Sequence, residues 1–103
     1  MARLIDIGPA VRPLPQILRV RPGDLIKFAA TGGDVKSGET VIRRLGVFRT
    51  SALGPDGGVL SPEGAPDAVF FLVCNPGSAV LRIVSGDPWG KFETNLIEAR
   101  SEA

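Results

Sequence analysis

Cys74 is the only thiol in 103 residues, and no histidine accompanies it. A cysteine nucleophile needs a base or a nearby cation to form thiolate. Cys74 instead ends the apolar run Ala68–Cys74, so it reads as a buried structural thiol. Without histidine, the usual general base, zinc ligand and triad relay are missing together. Thr31-Gly32-Gly33-Asp34 lacks the Gly-Lys-Ser/Thr that completes a phosphate loop. Asp56-Gly57-Gly58 has no further aligned acids for calcium. Two carboxylates would suffice for glycosidase-type chemistry. The acids here fall mostly in turns and in the tail, where turn geometry and solubility account for them. The chain therefore reads as a non-enzyme, with no catalytic residue, metal or cofactor expected.

The remaining residues of interest are suited to contact rather than catalysis. Arg43, Arg44 and Arg49 cluster in one stretch, and Trp89, between Pro88 and Gly90, is the only tryptophan. Core packing accounts for Trp89 by default, and an exposed interface anchor is the alternative. A nucleic-acid surface would need a strong basic excess and aromatic platforms. The net charge is +1 and there is no tyrosine, so a nucleic-acid partner is not expected. Charge is nonetheless uneven along the chain. Nine basic and four acidic groups lie in residues 1–49, against three basic and seven acidic groups in 50–103. These halves would form a dipole unless the fold interleaves them, as sandwiches usually do.

Alternation places these residues on strands. Arg3–Ile7 suits a first short strand, and the prolines of Gly8–Pro15 exclude helix. In Gln16–Arg21, Leu18 and Val20 share one face, with Arg19 and Arg21 on the other. After the Pro22-Gly23 turn, Ile26 and Phe28 point inward and Lys27 outward. Thr31–Gly38 reads as a polar loop. Glu39–Phe48 is rich in Val and Ile, but adjacent Arg43 and Arg44 must face opposite sides. One of them then lies on the core side, at an edge or at a bulge. Gly54–Ala68 reads as a long acidic surface loop, with room for a short strand at Gly58–Leu60. Ala68–Cys74 suits a strand buried on both faces, and Ser78–Val84 another beyond the Asn75-Pro76-Gly77 turn. Lys91–Ala99 suits a last strand with a frayed end, with a short helix as the alternative.

The total is about seven short strands with turn signals every ~8–12 residues, the spacing of a single all-β domain. Thirteen Gly and nine Pro agree with that. The expected fold is an antiparallel Greek-key β-sandwich. No run reaches the ~18–20 apolar residues of a membrane helix, and the N-terminus lacks the apolar centre of a signal peptide. A lone thiol suits a reducing compartment, so the expectation is a cytoplasmic protein with no membrane partner.

Two segments resemble the cupredoxins, the small blue-copper sandwich proteins. Leu18–Phe28 looks like that family's early hairpin with its Pro-Gly-Asp turn. Phe71-Leu-Val-Cys74-Asn-Pro-Gly-Ser-Ala-Val-Leu-Arg82 resembles the azurin-like copper loop, with Cys74 matching the Cys ligand and Pro76-Gly77 the turn. The resemblance implies a cupredoxin-like sandwich, and an immunoglobulin-like one shares the same physical description. The family's histidine ligands have no counterpart here, and its methionine is replaced near Leu81 or Arg82. Copper needs imidazole as well as thiolate, so a copper site is not expected.

With catalysis set aside, the leading expectation is a structural or assembly protein. It would be a homo-oligomer or bind a protein partner through open edge strands and charged patches, with Arg43, Arg44, Arg49 and Trp89 as contact residues. The alternative is a monomeric module for a small molecule or carbohydrate, using Trp89 and the loops.

Overall fold

The computed structural model describes residues 3–8, 13–48, 68–86 and 92–103. These form an all-β sandwich of two four-stranded sheets, with eight strands and no helix among the described residues. The strands are β1 (Leu4–Ile7), β2 (Ile17–Val20), β3 (Leu25–Phe28), β4 (Gly32–Ser37), β5 (Ile42–Phe48), β6 (Ala68–Val73), β7 (Gly77–Gly86) and β8 (Phe92–Ser101). One sheet runs in the order β1-β3-β6-β5 and the other in the order β2-β8-β7-β4. The proposed short strand at 58–60 lies outside the described residues, as do Arg49 and Trp89.

The sheets are mixed rather than purely antiparallel. β1 runs parallel to β3 and β2 parallel to β8, while the other pairings are antiparallel. The cause lies in the crossover between β1 and β2. The chain moves from one sheet to the other between Ile7 and Ile17, so neither strand meets its sequence neighbour. Each instead joins the flank of a strand already oriented the same way. Both sheets contain strands from before and after position 49, so the basic and acidic halves of the chain share each sheet.

The core follows from period-2 alternation. Val20, Ile26, Phe28, Ile42, Val69, Phe71, Val73, Ala79, Leu81, Ile83, Ile97 and Ala99 point between the sheets and are buried. Phe28 and Phe71 meet edge to face, with centroids 5.9 Å apart and planes at 82°. β6 is not buried on both sides. Its outward residues Phe70 and Leu72 remain half-exposed. β8 is the strand preferred over the helix, with Phe92, Thr94 and Leu96 on the outer face as alternation requires.

The Pro22-Gly23 turn is fastened by Asp24, which is buried. Its carboxylate accepts the Arg21 amide at 2.9 Å and Arg3 Nε at 3.0 Å. The Leu25 amide donates to the Arg3 carbonyl at 2.9 Å, so the same corner holds the start of β1.

Thr31–Gly38 is not a loop: β4 occupies Gly32–Ser37 and pairs with β7, with a register shift between Val35 and Ser37. Its two glycines and exposed polar residues erase the alternation that marks a strand. Gly33 is required by close approach, because a Cβ there would lie 2.8 Å from the Arg82 carbonyl oxygen and 3.5 Å from the Phe71 ring.

Candidate functional site

The strand directions sort the connections between strands into two groups. The β1–β2, β3–β4, β5–β6 and β7–β8 connections meet at one end, and the β2–β3, β4–β5 and β6–β7 turns lie at the other. At the first end, Ile7 is level with Phe28, Phe28 with Val69, Ala68 with Phe48, Gly32 with Val84, and Gly86 with Phe92. Two turn-rich stretches of the sequence, 49–67 and 87–91, are joined to strands at this end. The first joins β5 to β6 in one sheet and the second joins β7 to β8 in the other.

Residues 29–31 cross from sheet to sheet at the same end and are tightly held. The Ala29 amide donates to the Ile7 carbonyl at 3.0 Å. Thr31 donates twice to the Val84 carbonyl, from its amide at 3.0 Å and its hydroxyl at 3.1 Å. Ala30, Phe28, Ala68 and Val69 are buried beneath. The strand ends at residues 48, 68, 86 and 92 share this end with the tightly held 29–31 connection, and loops carried on a rigid sheet scaffold are where binding functions concentrate. Phe92, at the start of β8, is 60% exposed.

The arginine residues lie elsewhere. Arg43 and Arg44 are both exposed on β5, an edge strand, with a register shift between Arg44 and Gly46. The conflict in this strand is resolved at an edge beside a bulge. Arg44 stands opposite Phe71, on the core-facing side, and Arg43 stands opposite Leu72, on the outer side. With Asp34, Val35, Glu39 and Ile42 they line a groove of about 400 Å³ along the flank where β5 faces β4. This groove carries both signs of charge, and the described residues contain no group of three His, Cys, Asp or Glu fit to hold a metal. Among the described residues the arrangement offers surfaces for contact.

Cys74 is exposed, a correction to the buried thiol expected from its apolar neighbours. β6 ends at Val73, and position 74 has the parity of the outward residues Phe70 and Leu72, so Cys74 sits exposed in the turn to β7. Its amide donates to the Val41 carbonyl at 2.8 Å, while its thiol is 3.6 Å from the Leu72 carbonyl. Cys74→Ser therefore changes stability by no more than about 0.5 kcal/mol. The native protein reacts with an aromatic disulfide at the rate of an accessible thiol. Thiol titration of folded and urea-unfolded protein checks both expectations.

No family model matches the chain, and no curated protein matches it. Solved structures do. The chain resembles the cysteine protease inhibitor EhICP2 from Entamoeba histolytica, with a TM-score of 0.61 and 12% identity over 98% of this chain and 97% of that one. It also resembles amebosin, with a TM-score of 0.50 and 12% identity over 97% of this chain and 99% of that one. At this identity the likeness establishes the fold.

The expectation of a homo-oligomeric structural or assembly protein is corrected here, and so is that of a small-molecule or carbohydrate module. The full-length structural likeness is to a cysteine protease inhibitor rather than to either class. The edge strands supply a physical reason against self-assembly. β4 and β5 both carry bulges and charged side chains, and β1 and β2 have only four residues each, the features by which native sheets blunt their edges. Sequence reasoning missed the end where the β3–β4, β5–β6 and β7–β8 connections meet. The signal available was parity, since alternate connections of an up-and-down chain return to the same end.

Proposed function

We propose that this chain inhibits cysteine proteases, binding the enzyme through the sandwich end that carries the β3–β4, β5–β6 and β7–β8 connections. The observation that supports this most directly is the end-to-end structural likeness to a cysteine protease inhibitor. The connections give the reading a mechanism. An inhibitor must occupy an active-site cleft without being processed as substrate, which requires chain segments whose bases do not yield. Residues 29–31 meet that need, held by three hydrogen bonds to Ile7 and Val84 over a buried apolar floor. Order built in before binding removes part of the entropy cost of association. In this reading the protein binds an enzyme and performs no reaction, so it needs none of the groups the sequence lacks.

The test is a titration of papain-type cysteine proteases with the purified chain, followed by residual activity on a small fluorogenic peptide. Reversible inhibition with the chain recovered intact is expected, and a serine protease run in parallel stays fully active. Trp89, carried in sequence by the β7–β8 connection, supplies the single-residue check. Buried tryptophans at interfaces commonly contribute 2 kcal/mol or more, so Trp89→Ala raises the inhibition constant about 30-fold or more. A folded chain that leaves every cysteine protease of such a panel active at micromolar concentration overturns the proposal.

A further inference from the structure

We infer that Arg44 is a latch that closes the open flank of the sandwich and keeps another copy of this chain from adding a strand there. The flank is formed by β5, an edge of one sheet, and β4, an edge of the other. Edge strands present unpaired backbone groups that template pairing with a further strand. Arg44 comes from the core-facing side of β5, level with Phe71, where an apolar residue would be usual. Its side chain reaches across the flank, and Nε donates to the Gly33 carbonyl of β4 at 2.6 Å. One side chain thus fills a backbone acceptor on the edge of the opposite sheet and sets a charge at the mouth of the core.

Three further observations fit this role. Gly33 has no side chain, and a Cβ there would press on the Arg82 carbonyl. β5 is bulged between Arg44 and Gly46, and β4 is bulged between Val35 and Ser37, which breaks the regular edge on both sides of the latch. Asp34, next to Gly33, is engaged on the outer face with Arg82 at 3.7 Å and so does not draw Arg44 away. Arg43, its neighbour in sequence, stands opposite Leu72 on the outer side. The two arginines carry the same charge and differ in what they reach, so they can be separated experimentally. The inference is independent of any inhibitory activity.

The experiment compares Arg44→Leu, Arg43→Leu and Arg44→Gln with the wild-type chain by sedimentation and light scattering over a concentration series. Near-ultraviolet circular dichroism reports the native packing of each. Wild type and Arg43→Leu remain monomeric. Arg44→Leu self-associates at a concentration at least about tenfold lower, the scale expected for losing a hydrogen bond from a charged donor. Arg44→Gln keeps an amide donor without the charge and stays closer to wild type than Arg44→Leu. If Arg44→Leu fails to fold, Arg44→Gln against Arg43→Leu decides: greater association of the glutamine variant supports the latch, and association no greater than that of Arg43→Leu overturns it. Equal association of both leucine variants overturns it as a plain charge effect. Oligomers of wild type, or a native and monomeric Arg44→Leu, overturn it as well.

Discussion

Phe71→Ala removes about 3–5 kcal/mol of folding free energy, the range for truncating a buried aromatic. Phe71 has no exposed surface and lies on β6, between β3 and β5. Its ring meets the edge or face of Phe28, stands level with Ile26 and Arg44, and lies beside Gly33 of the other sheet. The truncation leaves a cavity that none of these can fill. β3 and β5 are held by their backbone ladders to β6, and Gly33 has no side chain to move in. The edge-to-face pair adds about 0.5–1.5 kcal/mol to the burial term. A domain of this size has ~5–15 kcal/mol in total, so much of the margin disappears. Urea unfolding checks this by a lowered midpoint with the slope retained. A midpoint within error of wild type would show that the sheets close over the gap.

Gly38→Ala costs about 2–6 kcal/mol, for a different reason. Gly38 has φ of +84°, a conformation that strains any other residue. A Cβ there would lie 2.6 Å from the Ser78 carbonyl oxygen and 2.7 Å from Ala79 Cα. Both are backbone atoms of β7, so no rotamer change relieves the contact, and overpacking adds to the conformational strain. The Gly38 carbonyl also accepts the Val41 and Ile42 amides at 2.9 and 3.1 Å, which starts β5. The methyl group therefore pushes the β4–β5 turn away from β7 and loosens the entry to β5. Amide exchange of Val41 and Ile42 reports this directly: rates in the variant rise well above wild type. Unchanged rates would mean that the turn moves as a rigid piece.

Much of the sandwich was legible because its inner strands keep strict alternation. Leu18 with Val20, Ile26 with Phe28, and Ala79 with Leu81 and Ile83 are inward sets in the structure. The lone thiol and β4 were misread for related reasons. Cys74 follows six apolar residues, but strand ends are set by hydrogen-bond partners, and Val73 is the last residue paired with β5. In β4, Gly32 and Gly33 lie where β7 comes too close for a side chain at Gly33, so the residues that fit the fold are the ones that hide the strand. Reading β4 as loop merged the β3–β4 connection into a longer polar stretch. That removed the central member of the three connections at the proposed binding end. The parallel pairings were beyond reach, since no local pattern reports which distant strand will receive β1 or β2. Arg44 was legible as a conflict in β5 and not as its resolution, which depends on a carbonyl in the opposite sheet.

The parallel pairing of β2 with β8 also sets an order of events for the newborn chain. Among the described residues, 17–20 find their one sheet neighbour in residues 98–101. Until β8 has left the ribosome, β2 has nothing to bond with and β7 lacks one of its two flanks. The β1-β3-β6-β5 sheet can assemble from residues 4–73 well before that. Synthesis therefore passes through a stage in which one sheet stands with its apolar inner face uncovered. Closing so distant a pairing is slow compared with forming local contacts. Residues 92–101 convert a vulnerable half-sandwich into the closed one, and chaperone demand for this chain is concentrated in the interval before they pair.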